Sequence, residues 1–133
     1  MRKLAEFEGY LDDFVITRED LLARGLGDRP DFRAYVVPST DRATLDGMAV
    51  TYVVPWTYAR APNLVLKELY VREGARGSGV GRQLMTAVQR EAKTLGAFRI
   101  VFSVLASNER AKKFYASLGA VYDDHWRNWY LPA

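Results

Sequence analysis

The sequence predicts an α/β fold built on a mixed β-sheet, and three observations carry that expectation. Residues 64–71 are an apolar, β-rich run, Leu-Val-Leu-Lys-Glu-Leu-Tyr-Val. A glycine-rich turn follows, Arg76-Gly77-Ser78-Gly79-Val80-Gly81, and an amphipathic helix leaves it. A second apolar run over residues 99–105 and a second helix from Asn108 repeat the strand-then-helix order, which suits a sheet covered by helices. The chain is read as a single domain over residues 1–133, long enough to bury a real core.

The elements follow in order. Residues 2–8 read as the end of a helix. Thr17-Arg18-Glu19-Asp20 resembles a capping box, with an acid three residues after the threonine. It opens a short helix that Gly25 and Gly27 stop. Residues 32–37 read as a strand ended by Pro38. Residues 41–47 are turn-like, and residues 48–54 form a second strand broken at Pro55. The third strand, Asn63–Val71, leads into the glycine turn. The helix over about residues 79–95 puts Val80, Leu84, Ala87, Val88, Glu91 and Leu95 near one face, and Gly96 stops it. Residues 99–105 read as a strand buried on both faces. Val121 and then residues 126–131 supply short final strands.

The glycine turn has the chemistry of an anion site. Glycines let successive backbone N–H groups approach a ligand closely. The helix start adds unpaired N–H groups and the positive end of a dipole. A pyrophosphate fits such a site in size. Two common phosphate motifs do not match. No Gly-Lys pair follows, as a Walker A loop needs, and Gly77-x-Gly79-x-Gly81 lacks dinucleotide spacing. The pattern left is Arg-x-x-Gly-x-Gly. Downstream stands Asn108-Glu-Arg-Ala111-Lys-Lys-Phe114-Tyr115-Ala-Ser-Leu118-Gly119. Asn108 is a good N-cap. Ala111, Phe114, Tyr115 and Leu118 share one helix face, and Gly119 suits a left-handed C-cap. Simple core packing accounts for Phe114. Tyr115 carries a hydroxyl that needs a partner if buried.

These two motifs, in this order with a strand between them, resemble the GCN5-related N-acetyltransferase (GNAT) superfamily. The front of the chain, Leu4-Ala5-Glu6-Phe7-Glu8 and residues 15–27, resembles its diamine (spermidine/spermine) and thialysine-acetylating group. The resemblance implies a mixed sheet split between the third strand and the strand at residue 99, flanked by helices, with acetyl-CoA in the gap. It also implies that the family's first strand is missing, because the chain begins inside what would be the first helix.

The implied activity is transfer of an acetyl group from acetyl-CoA directly to a primary amine of a small molecule: an amino acid, diamine or polyamine. Such a transfer needs a placed thioester, a neutral amine, an oxyanion donor and a proton for the leaving thiolate. By resemblance, backbone groups at Leu69, Tyr70 and Val71 pair with the pantetheine arm, and the Val71 N–H serves the oxyanion. Amides of Arg76, Gly77, Ser78, Gly79, Val80 and Gly81 hold the pyrophosphate. Asn108 contacts the cofactor, and Tyr115 protonates the thiolate. Phe7 and Glu8 line the amine site. Glu68 is the best available base or anchor for the substrate cation; alternation sets it on the face of Tyr70 and opposite Lys67. The related group carries an acidic pair where this chain has Lys67-Glu68. Two like charges about 4 Å apart cost roughly 1 to 4 kcal/mol, so Lys67 argues against polycationic substrates. No metal and no acyl-enzyme are expected.

Composition narrows the alternatives. There is no cysteine and a single histidine, His125, which excludes disulfides, thiolate metal sites and a multi-histidine centre. The net charge of +3 is small and dispersed, so nucleic acid is not an expected partner. No run of 18 apolar residues indicates a membrane span, and charges interrupt any N-terminal signal. A cytoplasmic homodimer acting on a small-molecule amine is the expectation. A protein or histone lysine acetyltransferase and a non-catalytic acyl-CoA-binding module are the alternatives.

Overall fold

Four strands form one sheet in the order β1 (Arg33–Pro38), β2 (Leu45–Val54), β3 (Asn63–Val71), β4 (Arg99–Val101). The computed structural model describes residues 1–133 apart from Tyr58, residues 126–128, Tyr130 and Ala133. β1 and β3 each pair antiparallel with β2, and β4 pairs parallel with β3. The sheet is therefore mixed, as the sequence predicts. It is also split. β4 meets β3 only from Asn63↔Arg99 to Val65↔Val101. Beyond that, β3 runs on to Val71 with no neighbour on that side among the described residues.

The chain divides into two compact units, Met1–Ser103 and Val104–Ala133. The first holds the sheet with α1 (Arg2–Glu8), α2 (Arg18–Gly25) and α3 (Val80–Thr94). Thr17 caps α2 as expected: its hydroxyl accepts from the Asp20 N–H at 3.1 Å, and its own N–H donates to the Asp20 carboxylate at 2.9 Å. α3 lies across the sheet and buries Val80, Leu84, Met85, Val88 and Glu91 against it. Leu64, Leu84 and Val88 are the large apolar side chains sealed most completely. Each contributes about 1.5–3 kcal/mol of burial. Glu91 keeps its carboxylate in this apolar layer because it has partners. Thr51 Oγ1 donates to it at 2.7 Å, and Arg33 Nη1 stands 3.5 Å away.

Three expectations need correction. β2 begins at Leu45, so residues 45–47 are strand and the turn is shorter. That turn is closed by Ser39, whose hydroxyl donates to Asp41 at 2.6 Å and accepts from the Thr44 N–H at 3.1 Å. Gly47 is a close-packing position: a Cβ there would stand 2.7 Å from Val80 and 3.0 Å from Leu84. Its missing side chain lets the first turn of α3 settle onto β2, which sets the height of the glycine turn above the sheet. β4 stops at Val101, and none of its residues is fully buried. The apolar residues after it continue without a ladder. Val121 is no strand and is almost fully exposed. The strand expected over 126–131 falls largely outside the described residues.

In the second unit, α4 (Glu109–Ala116) starts on Asn108, whose side-chain oxygen accepts from the Ala111 N–H at 3.0 Å. Ala111, Phe114, Tyr115 and Leu118 are its half-buried residues. The chain turns out of the helix at Gly119, with φ 85°. Among the described residues, no helix is long and apolar enough to cross a membrane.

Candidate active site

The glycine turn presents a cradle of amides. Gly77 (φ 86°) and Gly79 (φ 91°) take left-handed conformations that side chains rarely adopt. Gly79 is the N-cap of α3, and no side chain caps that helix. Arg76 N–H bonds to Glu73 O, and Ser78 N–H reaches Ala75 O only at 3.4 Å. Among the described residues, the amides of Gly77, Gly79, Val80 and Gly81 meet no acceptor. A Cβ at Gly77 or Gly79 would meet nothing within 4 Å, so the space in front of the turn is open.

The charges around the cradle are also uncompensated. The first turn of α3 has no acidic residue and instead carries Arg82, the wrong sign for a helix N-terminus unless an anion binds there. Arg76 and Arg82 pair with no carboxylate among the described residues. Arg72, by contrast, is held by Asp46 at 2.6 Å.

Beside the cradle lies the stretch of β3 that no strand covers among the described residues. Arg72 N–H donates to Asp46 O at 2.8 Å. Hydrogen-bonded pairs alternate along an antiparallel ladder, so Tyr70 opposite Met48 and Glu68 opposite Val50 are the next two. The main-chain groups of Tyr70 are thus engaged with β2. Those of Leu69 and Val71 point away from it, toward the side that β4 leaves uncovered. The Val71 carbonyl accepts from Arg76 Nε at 3.1 Å, in keeping with that direction. Val50 opposes Glu68 while Thr51 opposes Leu66, so Lys67 is the extra residue of a β-bulge. Lys67 is exposed, and Glu68 and Tyr70 are half-buried.

Glu68 has the electrostatics of a group that can take a proton. Burial raises its pKa above the usual glutamate value; the Lys67 cation opposes this, and the Glu8 carboxylate adds to it. No hydrogen-bond donor meets it among the described residues. Tyr10 was not singled out from the sequence. Burial, then the charges of Glu68 and Glu8, hold its hydroxyl above the ordinary tyrosine value, so it stays a neutral donor. Its place follows from Gly9, whose left-handed turn (φ 81°) ends α1 and leads the chain directly into Tyr10. Phe7, from the last turn of α1, lies under Arg76, whose guanidinium carbon is 5.5 Å from the ring centroid.

The first unit therefore brings together Phe7, Glu8, Glu68, Leu69, Val71 and the 76–81 turn. In the second unit, Asn108 spends its side-chain oxygen on the α4 cap. Tyr115 follows Phe114, the two rings 5.3 Å apart in an edge arrangement. Among the described residues, no group of three or more His, Cys, Asp or Glu side chains is placed to hold a metal ion.

Residues 3–120 match the model of the acetyltransferase (GNAT) family. The chain belongs to that family. It is 30% identical over 126 residues to the thialysine N-epsilon-acetyltransferase of Sus scrofa, covering 90% of this chain and 74% of the relative. It is 26% identical over 98 residues to the L-ornithine N5-acetyltransferase of Arabidopsis thaliana, covering 74% of this chain and 43% of that one. In fold it superposes on an aminoglycoside acetyltransferase from an uncultured soil metagenomic sample with a TM-score of 0.80. That match is 20% identical and covers 98% of this chain and 84% of the other. GNAT membership implies acetyl-CoA as cosubstrate. The turn fits its diphosphate: among the described residues it has amides without acceptors, arginines that meet no carboxylate and no acid in the helix start, with open space at the Cβ positions of Gly77 and Gly79.

Proposed function

We propose that this GNAT enzyme acetylates a primary amine of a small molecule, with an amino-acid side-chain amine favoured over a polyamine. The observation that carries the reading is the amide cradle at 77–81 set beside the main-chain edge of Leu69 and Val71, which no strand covers among the described residues, with Glu68 next to them. Two relatives are named for the side-chain amines of thialysine and ornithine. Lys67, the bulge residue beside Glu68, puts a cation where a second substrate ammonium would be repelled.

Bound acetyl-CoA supplies the activated acyl group, a thioester. The residues do the rest. Amides of Gly77, Gly79, Val80 and Gly81 bind the diphosphate, while those of Arg76 and Ser78 hold the turn itself, and Arg82 adds charge. Leu69 and Val71 extend their main chains along the pantetheine arm beside Tyr70, as a sheet edge accepts a strand. The Val71 N–H donates to the carbonyl oxygen as negative charge grows on it. Glu68 accepts the ammonium proton, directly or through water, and the neutral amine attacks. Phe7 and Glu8 hold the amine's far end. Asn108 contacts the coenzyme, and Tyr115 gives its phenolic proton to the departing sulfur; the second proton, shed by the newly acylated nitrogen, passes through solvent and restores the phenol, while the one Glu68 took is released to solvent.

Titration calorimetry with acetyl-CoA, followed by thiol release with thialysine, lysine, ornithine, spermidine and a lysine peptide, tests the proposal. Binding heat and turnover led by the amino acids are expected. Turnover led by the peptide would reassign the enzyme to protein substrates. Binding without turnover on any amine would make it a coenzyme-binding module. No heat at near-saturating protein would end the reading.

Tyr115→Phe should lower turnover by about 100-fold, the low end for a general acid. A thiolate is a good enough leaving group to depart partly without protonation, which keeps the loss at that end. Coenzyme affinity should stay unchanged; wild-type turnover would remove Tyr115 from the chemistry.

A further inference from the structure

We propose that Phe7 is a positioning residue that links the amine side of the site to the coenzyme turn through Arg76, so that coenzyme binding tightens the end of α1. The inference rests on the reading of residues 76–81 as the coenzyme turn. Three contacts fix Arg76. Its N–H bonds to Glu73 O at 3.1 Å, its Nε bonds to Val71 O at 3.1 Å, and its guanidinium lies 5.5 Å from the Phe7 ring centroid. Its charge is not consumed, since no carboxylate pairs with it among the described residues.

Phe7 is the odd apolar residue of α1. Leu4 and Ala5 are buried in the core, whereas Phe7 is 53% exposed and its ring meets the Arg76 guanidinium. One residue on stands Glu8, and beyond Gly9 stands Tyr10, both within electrostatic reach of Glu68. Cation–aromatic stacking thus joins two segments that the sheet does not join: the turn that binds the coenzyme and the helix end that carries the amine-site groups.

The glycines on either side of Ser78 give that turn its freedom, and the Arg76 side chain is its tie to α1. A ligand that fixes residues 77–81 also fixes Arg76, hence Phe7, hence the turn at Gly9. The amine then meets a helix end already ordered, which is positive coupling without a change of fold.

Amide hydrogen exchange with and without CoA reads this directly. The Tyr10 N–H, bonded to Ala5 O at 3.0 Å, and the Gly9 N–H, bonded to Glu6 O at 3.3 Å, report on the end of α1. In the native protein CoA should slow both by about fivefold, the lower end of ordinary coupling. In Phe7→Ala that slowing should vanish while residues 77–81 are still protected. Phe7→Trp should restore it, and thermal melting checks that each variant is folded. Equal slowing in Phe7→Ala, or none in the native protein when calorimetry shows CoA bound, overturns the coupling. If CoA neither binds nor protects 77–81, the functional reading fails, and the coupling falls with it.

Discussion

Glu68→Gln is expected to cut turnover by about 10²- to 10⁴-fold, the usual loss when a general base is removed, while raising the melting temperature at pH 7. The two effects have one cause. Glu68 is half-buried without a hydrogen-bond donor among the described residues, and burial holds its pKa above the ordinary glutamate value. A carboxyl with a raised folded pKa holds its proton more tightly in the fold than in the unfolded chain. The fold is therefore penalised as pH rises past the unfolded value, and the penalty is complete above the folded one. At neutral pH the charged side chain weakens the protein, and glutamine removes that charge. The same raised pKa makes the carboxylate a better proton acceptor than a solvated glutamate. In the native enzyme the acid limb of kcat should fall at a pH above the ordinary glutamate value, and Glu68→Gln should lack that limb. Native turnover in Glu68→Gln would dismiss it as the base. An unchanged acid limb would assign the titration to another group.

The parts of this site readable from sequence are those set by local rules. The turn at 76–81 could be read because glycine spacing and a following amphipathic helix are local signals, and the left-handed Gly77 and Gly79 answer to them. Caps behaved likewise: Thr17, Asn108 and Gly119 act within a few residues of themselves. What failed was set by distant neighbours. Gly47 looks like a turn glycine, but its reason lies in Val80 and Leu84, far along the chain. β4 is shorter than its apolar run because pairing with β3 ends at Val65, and composition does not encode where two strands part. Tyr10 escaped notice because only the folded end of α1 brings it near Glu8 and Glu68. The bulge at Lys67 was equally invisible, since alternation by itself carries no trace of an inserted residue. Its consequence is chemical, because it sets an exposed lysine beside a half-buried glutamate.

Gly79→Val should raise the dissociation constant for CoA by at least about 100-fold, which is roughly 2.7 kcal/mol. Two costs act in it. Valine is β-branched and badly suited to φ 91°, a strain of about 1–3 kcal/mol. Its side chain also enters the open space before the amides of Val80 and Gly81, where nothing stands within 4 Å of the Cβ position. Strain should lower the melting temperature, and occlusion should abolish binding. Gly96→Val separates them. Gly96 also has a left-handed backbone (φ 60°) with nothing within 4 Å of its Cβ position, but it lies past the other end of α3. Both variants should melt lower than the native protein, and only Gly79→Val should lose CoA, as calorimetry on folded protein would show. Equal loss of binding in both would mean that the helix as a whole, rather than the space at its N-terminus, governs the affinity. Native affinity in Gly79→Val would mean that the diphosphate is held elsewhere, because a branched side chain at the N-cap leaves no path to the first-turn amides.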